Sequence, residues 1–321
     1  MNQEQSNIPL IETVHLKKYF DTGSGVLHAV DDVNLTIQPR KTLGVVGESG
    51  CGKSTLGRTI LRLTPATEGK ILYNGTDILT YNPNQLRELR REMQIIFQDP
   101  YSSLNPRMTV SELIAEPLVV NKVMKNKNEL RARVKELMET VGLAVRLETA
   151  YPHELDGGRR QRIGIARALS VKPKFIVCDE PVSALDVSIQ AQILNLLMDL
   201  QDNMGLTYLF ITHDLSVVRH ISDEIAVMYL GQCVERCGSR ELFERPLHPY
   251  TKALLDAIQV PDISLRGKKK PIIRGEVTSP IDPKPGCRFA ARCPHATEAC
   301  SASHIPLREV SAGHYVACNL I

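Results

Sequence analysis

The chain has 321 residues, 43% of them hydrophobic and 23% charged, proportions that exclude a disordered or fibrous protein. Its 39 Lys and Arg against 36 Asp and Glu leave a formal net charge of +3, too small to argue for nucleic-acid binding. No stretch approaches the roughly 18 uninterrupted apolar residues of a membrane-spanning helix. Met1 to Leu10 is polar and lacks a signal peptide's apolar core, so the chain is expected in the cytosol.

In chain order, Asp31 to Ile37 alternates apolar and polar residues like an edge strand, and Thr42 to Val46 is a short apolar strand. A Gly-rich turn follows, and Ser54 to Leu63 has helical spacing. Lys70 to Tyr73 and Met93 to Phe97 read as further strands. Asn128 to Val141 is a charged amphipathic helix with Leu130, Val134, Leu137, Met138 and Val141 on one side. Phe175 to Cys178 and Tyr208 to Ile211 are buried strands, flanked by helices at Gly158 to Leu169 and Ser188 to Asn203. Strands alternating with helices of this length predict an α/β fold around a largely parallel sheet. Ser264 to Pro285, rich in Lys and Pro, reads as a linker.

The eight cysteines divide the chain. Cys51, Cys178, Cys233 and Cys237 are scattered and serve as small apolar fillers. Cys287, Cys293, Cys300 and Cys318 crowd into the last 35 residues, with five, six and 17 residues between them. A reducing compartment disfavours disulfides, so four clustered thiols read first as a metal site, either Zn²⁺ or an iron–sulfur cluster. The spacings are longer than the short hairpins usual for structural zinc. His295, His304 and His314 lie close enough in sequence for a mixed-ligand site. A tail of about 35 residues hardly folds unaided, and a bound metal would supply the missing folding energy.

Gly47-Glu48-Ser49-Gly50-Cys51-Gly52-Lys53-Ser54-Thr55 fits G-x-x-x-x-G-K-[ST] and lies between a strand and a helix. Glycines let backbone N–H groups turn inward around an anion, and the helix N-terminus adds its positive dipole end. Lys53 can reach the β- and γ-phosphates of a nucleotide, and the Ser54 hydroxyl can ligate Mg²⁺. Phe175 to Glu180 is an apolar strand that ends in two carboxylates. Behind a phosphate-binding loop, Asp179 there supports Mg²⁺ and Glu180 orients or deprotonates an attacking water.

In this order, the Gly47–Thr55 loop, Gln98 in Ile95-Ile96-Phe97-Gln98-Asp99, Leu155-Asp156-Gly157-Gly158, Asp179-Glu180, Ser183-Ala184-Leu185-Asp186 and His213 resemble the nucleotide-binding subunit of an ABC transporter. The match runs from about Thr13 to Asp256. Pro249-Tyr250-Thr251 and the four terminal cysteines narrow it: the chain is similar to the ATPase subunits of dipeptide and oligopeptide importers, most closely their F type.

The resemblance implies a P-loop NTPase domain over residues 1–262, with a helical subdomain at about 99–155 and a linker and cysteine-bearing extension at 263–321. It implies ATP and Mg²⁺, with Phe20 or the adjacent Tyr19 stacked on adenine, Gln98 contacting Mg²⁺ and water, and His213 hydrogen-bonding the γ-phosphate. Asp186 would shape the dimer contact, and a [4Fe–4S] cluster would sit on Cys287, Cys293, Cys300 and Cys318. The expected partners are a second ATPase in a heterodimer, two transmembrane permease subunits and, through them, an extracytoplasmic peptide-binding protein. The expected place is the cytoplasmic face of the inner membrane, as a peripheral subunit. Relatives with similar ATPases also handle nickel complexes. A soluble ABC ATPase of DNA repair or translation would usually carry two cassettes or a basic arm, and a redox sensor with a degenerate ATPase fits poorly with intact Lys53, Asp179 and Glu180.

The signature loop departs from that family's usual Leu-Ser-Gly-Gly-Gln, because it reads Leu155-Asp156-Gly157-Gly158-Arg159. An ionised Asp156 cannot donate a hydrogen bond. At 4 Å from a phosphate charge it would cost about 4 kcal/mol at an effective dielectric near 20. Two arrangements satisfy the chemistry. Asp156 turns away to cap the following helix while Arg159 and Arg160 compensate, or the site that this loop completes on the other ATPase is weakened.

Overall fold

The computed structural model describes residues 8–257 and 278–321. The chain divides into two compact units, the first from Met1–Ile37, Thr42–Leu79 and Thr212–Ile321, the second from Gln38–Lys41 and Thr80–Ile211. Most of the Lys- and Pro-rich linker, residues 264–277, lies outside the described residues, as does the expected boundary at 262/263.

The first unit opens with β1 (Ile11–Thr22), β2 (Gly25–Ile37), β3 (Thr42–Val46), α1 (Lys53–Ile60), β4 (Glu68–Tyr73) and β5 (Thr76–Asp77). The second holds α2 (Pro83–Glu92), β6 (Met93–Ile96), α3 (Pro100–Ser103), α4 (Val110–Val120) and α5 (Lys127–Thr140). It continues with α6 (Gly157–Leu169), β7 (Phe175–Asp179), α7 (Val187–Met204) and β8 (Thr207–Ile211). The chain then returns to the first unit with α8 (Leu215–Ile221), β9 (Glu224–Tyr229), β10 (Gln232–Gly238), α9 (Ser239–Glu244) and α10 (Pro249–Ala257). Short α11 (Ala299–Ala302), β11 (Arg308–Ser311) and β12 (His314–Val316) complete it.

In the second unit β8, β7 and β6 are neighbours and pair parallel, as alternating strands and helices require. Phe175 to Cys178 and Tyr208 to Ile211 have no solvent exposure, which explains why both strands are continuous apolar runs rather than alternating ones. The helices carry the start signals their sequences promise. Thr109 and Glu112 form a capping box for α4, and the Asp186 carboxylate caps α7 by accepting the Ile189 N–H at 3.0 Å.

The first unit departs from the parallel expectation. β2, β1, β4 and β5 form an antiparallel sheet, and in the second sheet of this unit β9, β10, β12 and β11 are antiparallel, with only β3 parallel to β9. β1 lacks a readable alternation because its register slips three times between Thr13 and Tyr19, with His15 in the left-handed region at φ 47°. Each bulge shifts the period-2 pattern by one residue. α1 also stops at Ile60, three residues before the apolar spacing runs out.

The cysteine tail is part of the first unit's fold. β12 pairs with β10 at Glu235–Val316, and the Ala317 N–H donates to the Val234 carbonyl at 2.9 Å. Phe289, between the first two tail cysteines, is buried in the core cluster with Tyr229, Tyr250 and Leu242.

Candidate active site and thiol cavity

The Gly47–Thr55 loop joins the fully buried β3 to α1. Two of its glycines are forced by close approach. A Cβ on Gly47 would lie 2.1 Å from the Met228 carbonyl oxygen, and one on Gly52, at φ 101°, would lie 1.9 Å from that of Ala29. Lys53 Nζ lies inside the loop and donates to the carbonyls of Gly47 and Glu48 at 2.8 and 2.9 Å. Its ammonium therefore sits where the loop's inward N–H groups would meet an anion. Cys51 is a buried filler whose thiol is pushed up by burial, so it stays protonated.

The loop is held from outside as well. The Glu48 N–H donates to Tyr250 Oη at 3.0 Å, and Arg292 Nη1 lies 3.1 Å from the Glu48 carboxylate. Thr212, beside β3, donates its N–H to the Val45 carbonyl at 3.1 Å, which seats the exposed His213 near the strand that leads into the loop.

At the N-terminal sheet, Tyr19 and Phe20 divide their roles. The Tyr19 hydroxyl donates to Asp31 and its ring stacks on His28 at 3.9 Å, and burial with the Asp31 hydrogen bond raises its pKa. Phe20 is the ring left accessible, 37% exposed with Lys18 Nζ 4.6 Å from its centroid.

The second unit carries the carboxylates. Asp179 ends β7 almost fully buried. Glu180 takes φ 48°, sparsely populated for a non-glycine residue, and its N–H donates to the Ile211 carbonyl at 2.9 Å. Strained backbone of this kind clusters at functional sites. Gln98 Nε2 donates to Glu180 Oε2 at 2.9 Å, so two predicted site residues 82 positions apart are in direct contact. Asp156 caps α6: its Oδ1 accepts the Arg159 N–H at 2.8 Å, and Arg159 Nε is 3.5 Å from Oδ2. The helix cap expected of Asp156 is present, while Arg160 Nε donates to the Pro152 carbonyl at 2.7 Å. Gly158 is required behind the cap, because a Cβ there would lie 2.7 Å from the Ile189 side chain.

Cys287, Cys293, Cys300 and Cys318 line one small cavity with His248, Phe289 and Ile305. None of His295, His304 and His314 lines it. His314 is taken by the buried Glu235 at 2.8 Å, and His304 lies 3.7 Å from Asp32. Burial, then the neighbouring thiols, push Cys287 up to about 11. Among the described residues no three of the four sulfurs fall within 4.8 Å of one another; the one trio that close is Glu235, Cys237 and His314. A single tetrahedral Zn²⁺ with bonds of about 2.3 Å needs sulfurs only about 3.8 Å apart. His248 contributes an orphan. Its Nδ1 accepts the Tyr250 N–H at 3.0 Å, so in the neutral ring the proton is on Nε2, a buried donor with no protein partner. Burial holds that ring neutral, with a pKa near 4.

Several residues that build these sites escaped sequence reading. Glu235 accepts the N–H groups of Leu247 and His248 as well as bonding His314. Arg288 pairs with Asp31 and donates to the Leu230 carbonyl, so the first tail cysteine follows the core directly. The available signals were a carboxylate between two cysteines of a short strand and two arginines placed between prospective ligand cysteines.

The comparisons with known proteins agree with this geometry. The ABC transporter family matches residues 30–183, and the family described as "Oligopeptide/dipeptide transporter, C-terminal region" matches residues 234–300. The oligopeptide transport ATP-binding protein OppF of Salmonella typhimurium is 51% identical over 319 residues, covering 96% of this chain and 95% of that one. OppF of Bacillus subtilis is 51% identical over 310 residues, covering 96% of each. Among solved structures, the dimeric ATP-binding cassette MJ0796 bound to ADP and Pi superimposes with a TM-score of 0.65 at 29% identity, over 72% of this chain and 99% of that one. The chain belongs to the family of oligopeptide transport ATP-binding proteins, the ATPase subunits of ABC transporters.

Proposed function

We propose that the chain is the ATP-hydrolysing subunit of an ABC importer that drives uptake of di- or oligopeptides. The observation that carries this reading is full-length likeness, tail included, to oligopeptide transport ATP-binding proteins in a chain whose hydrolytic residues are intact. Phe20 stacks on adenine, the Gly47–Thr55 loop cradles the phosphates, and Lys53 offsets charge on the β- and γ-phosphates. Glu180, steadied by Gln98, accepts a proton from the attacking water, and His213 donates to the γ-phosphate. Ser54, Gln98 and Asp179 are oxygen donors of the kind Mg²⁺ takes, and the ion supplies charge neutralisation across the phosphates. Residues 1–262 form the ATPase domain, with a helical subdomain at about 99–155 supported by α3, α4 and α5.

The chain works on the cytoplasmic face of the membrane, with a second ATPase as a heterodimer, two permease subunits and an extracytoplasmic peptide-binding protein. The loop at Asp156 to Gly158 meets the phosphate held by that second ATPase through its backbone, with the Asp156 side chain turned to cap α6. Among the described residues no helix is long and apolar enough to cross a membrane, which fits attachment through permease subunits.

Cys287, Cys293, Cys300 and Cys318 fit an iron–sulfur cluster better than one Zn²⁺, given four thiols on one cavity with no three sulfurs within 4.8 Å of one another and the unpartnered His248 Nε2–H on a residue of the same lining. A [4Fe–4S] cluster held there cross-links the tail and adds folding energy. Absorbance near 400 nm of anaerobically purified protein separates the two. The function itself is tested in vesicles that carry the chain with its permease subunits. Labelled peptide should enter only with ATP present; recovery of the chain wholly in the soluble pool beside its partners overturns the assignment.

A further inference from the structure

We propose that Arg292 and Tyr250 are positioning residues for the phosphate-binding loop, so that the cysteine tail holds the ATP site in shape. Both act on Glu48, the second residue of the loop. Its backbone N–H donates to Tyr250 Oη at 3.0 Å, on α10. Its two carboxylate oxygens lie 3.2 and 3.1 Å from Arg292 Nη1, which also donates to Tyr229 Oη at 3.2 Å. The arginine side chain is only 8% exposed and the glutamate 28%, so this is a largely desolvated pair rather than a solvated surface one.

Arg292 has little freedom of its own. It ends a short turn, Ala290–Arg292, in which the Ala290 N–H donates to the Cys287 carbonyl at 3.0 Å and the Cys293 N–H to the Ala290 carbonyl at 3.3 Å. The same turn carries Phe289, packed on Tyr229 and Tyr250 with ring centroids 5.4 Å from each. Whatever fixes Cys287 and Cys293 therefore fixes Arg292 and the aromatic floor beneath it.

The chemistry gives this clamp a purpose. A carboxylate in a loop that receives a polyphosphate repels the ligand unless a cation neutralises it. Arg292 supplies that cation from outside, which leaves Lys53 for the nucleotide. With backbone and side chain of Glu48 both tethered, the following residues begin from a fixed point. The inference rests on the reading of this loop as an ATP site.

The test measures the affinity of the full-length protein for a fluorescent ATP analogue with Mg²⁺, in a double-mutant cycle of Arg292→Ala and Glu48→Gln. Arg292→Ala should weaken binding about tenfold, as loss of a partly buried charged hydrogen bond does. In the Glu48→Gln background the same change should cost no more than about twofold, because no carboxylate remains to neutralise. In the assembled ATPase the single change should raise KM for ATP and leave kcat alone. An unchanged affinity, or an equal loss in both backgrounds, overturns the proposal, the latter by assigning Arg292 a role in the tail's fold alone. Should Arg292→Ala not fold, Arg292→Lys and Arg292→Gln decide in its place. Lys retaining affinity that Gln loses supports the clamp, and equal behaviour refutes it. Failure of the unaltered chain to bind the analogue refutes the ATP reading instead.

Discussion

The phosphate-binding loop is written in nine consecutive residues between one strand and one helix, with Tyr250 and Arg292 reaching it from outside at Glu48, whereas the cysteine tail takes its shape from partners scattered over most of the chain. Gly47 to Thr55 closes on itself through Lys53 and needs glycine where Met228 and Ala29 come near and at Gly50, where φ is 76°. The tail is held by Arg288 on Asp31, Arg292 on Glu48 and His314 on Glu235, contacts that span 257, 244 and 79 positions. The two regions are vulnerable in different places. A local motif fails first when its own residues change, and a long-range one fails when any anchor does.

The largest expected effect lies at the hydrolytic carboxylate. Glu180→Gln should lower ATP turnover of the assembled complex by about 100-fold or more, the usual contribution of a general base, with nucleotide binding retained. Steady-state turnover checks this, and retention of half the activity would count against a heterodimer that depends on this chain's own site.

Arg288 is one of the tail's long-range anchors. Its side chain is 5% exposed, and Arg288→Ala leaves the largely desolvated Asp31 without the guanidinium. A loss of about 3 kcal/mol is expected, the cost of breaking a buried pair from one side. Thermal unfolding should move as a single transition; a separate early transition confined to the tail would break the comparison.

The cap at Asp156 should matter less. Asp156→Ala costs about 1 kcal/mol through the lost N-cap of α6, and Asp156→Ser restores most of it, since serine caps almost as well. Denaturant midpoints of the two variants measure this directly. The smallest effect concerns the fillers. Cys178 and Cys233 are buried, with thiols raised by burial, Cys233 to about 12. Neither should be alkylated in the folded protein at pH 8, and mass spectrometry after iodoacetamide treatment reads the result.

Much of the ATP site was legible because its pieces are short and its chemistry is local. A Gly-rich turn before Lys53 announces an anion loop, and an apolar strand that ends in Asp179-Glu180 announces a carboxylate in a dry setting. The antiparallel sheet around β1 was not legible, because bulges at Thr13 to Tyr19 break the alternation that marks a strand. His248 escaped notice for another reason. It is 39 positions before Cys287, and only packing brings its ring to the thiol cavity.

By itself the sequence determined the nucleotide loop, the carboxylates at the end of β7, the parallel character of the second unit's strands and the presence of four clustered thiols. Each depends on hydrophobic period, glycine placement or residue type over a few positions, which the chain carries openly. Only the tertiary structure decided which aromatic stays exposed, that Asp156 caps a helix, and that Gln98 meets Glu180. It also decided that the tail grips the phosphate loop through Glu48. A tail of about 35 residues buries too little surface to stand alone, so its arginines and Phe289 must find partners on the body of the protein. Those partners are chosen by shape and desolvated charge, which no local pattern records.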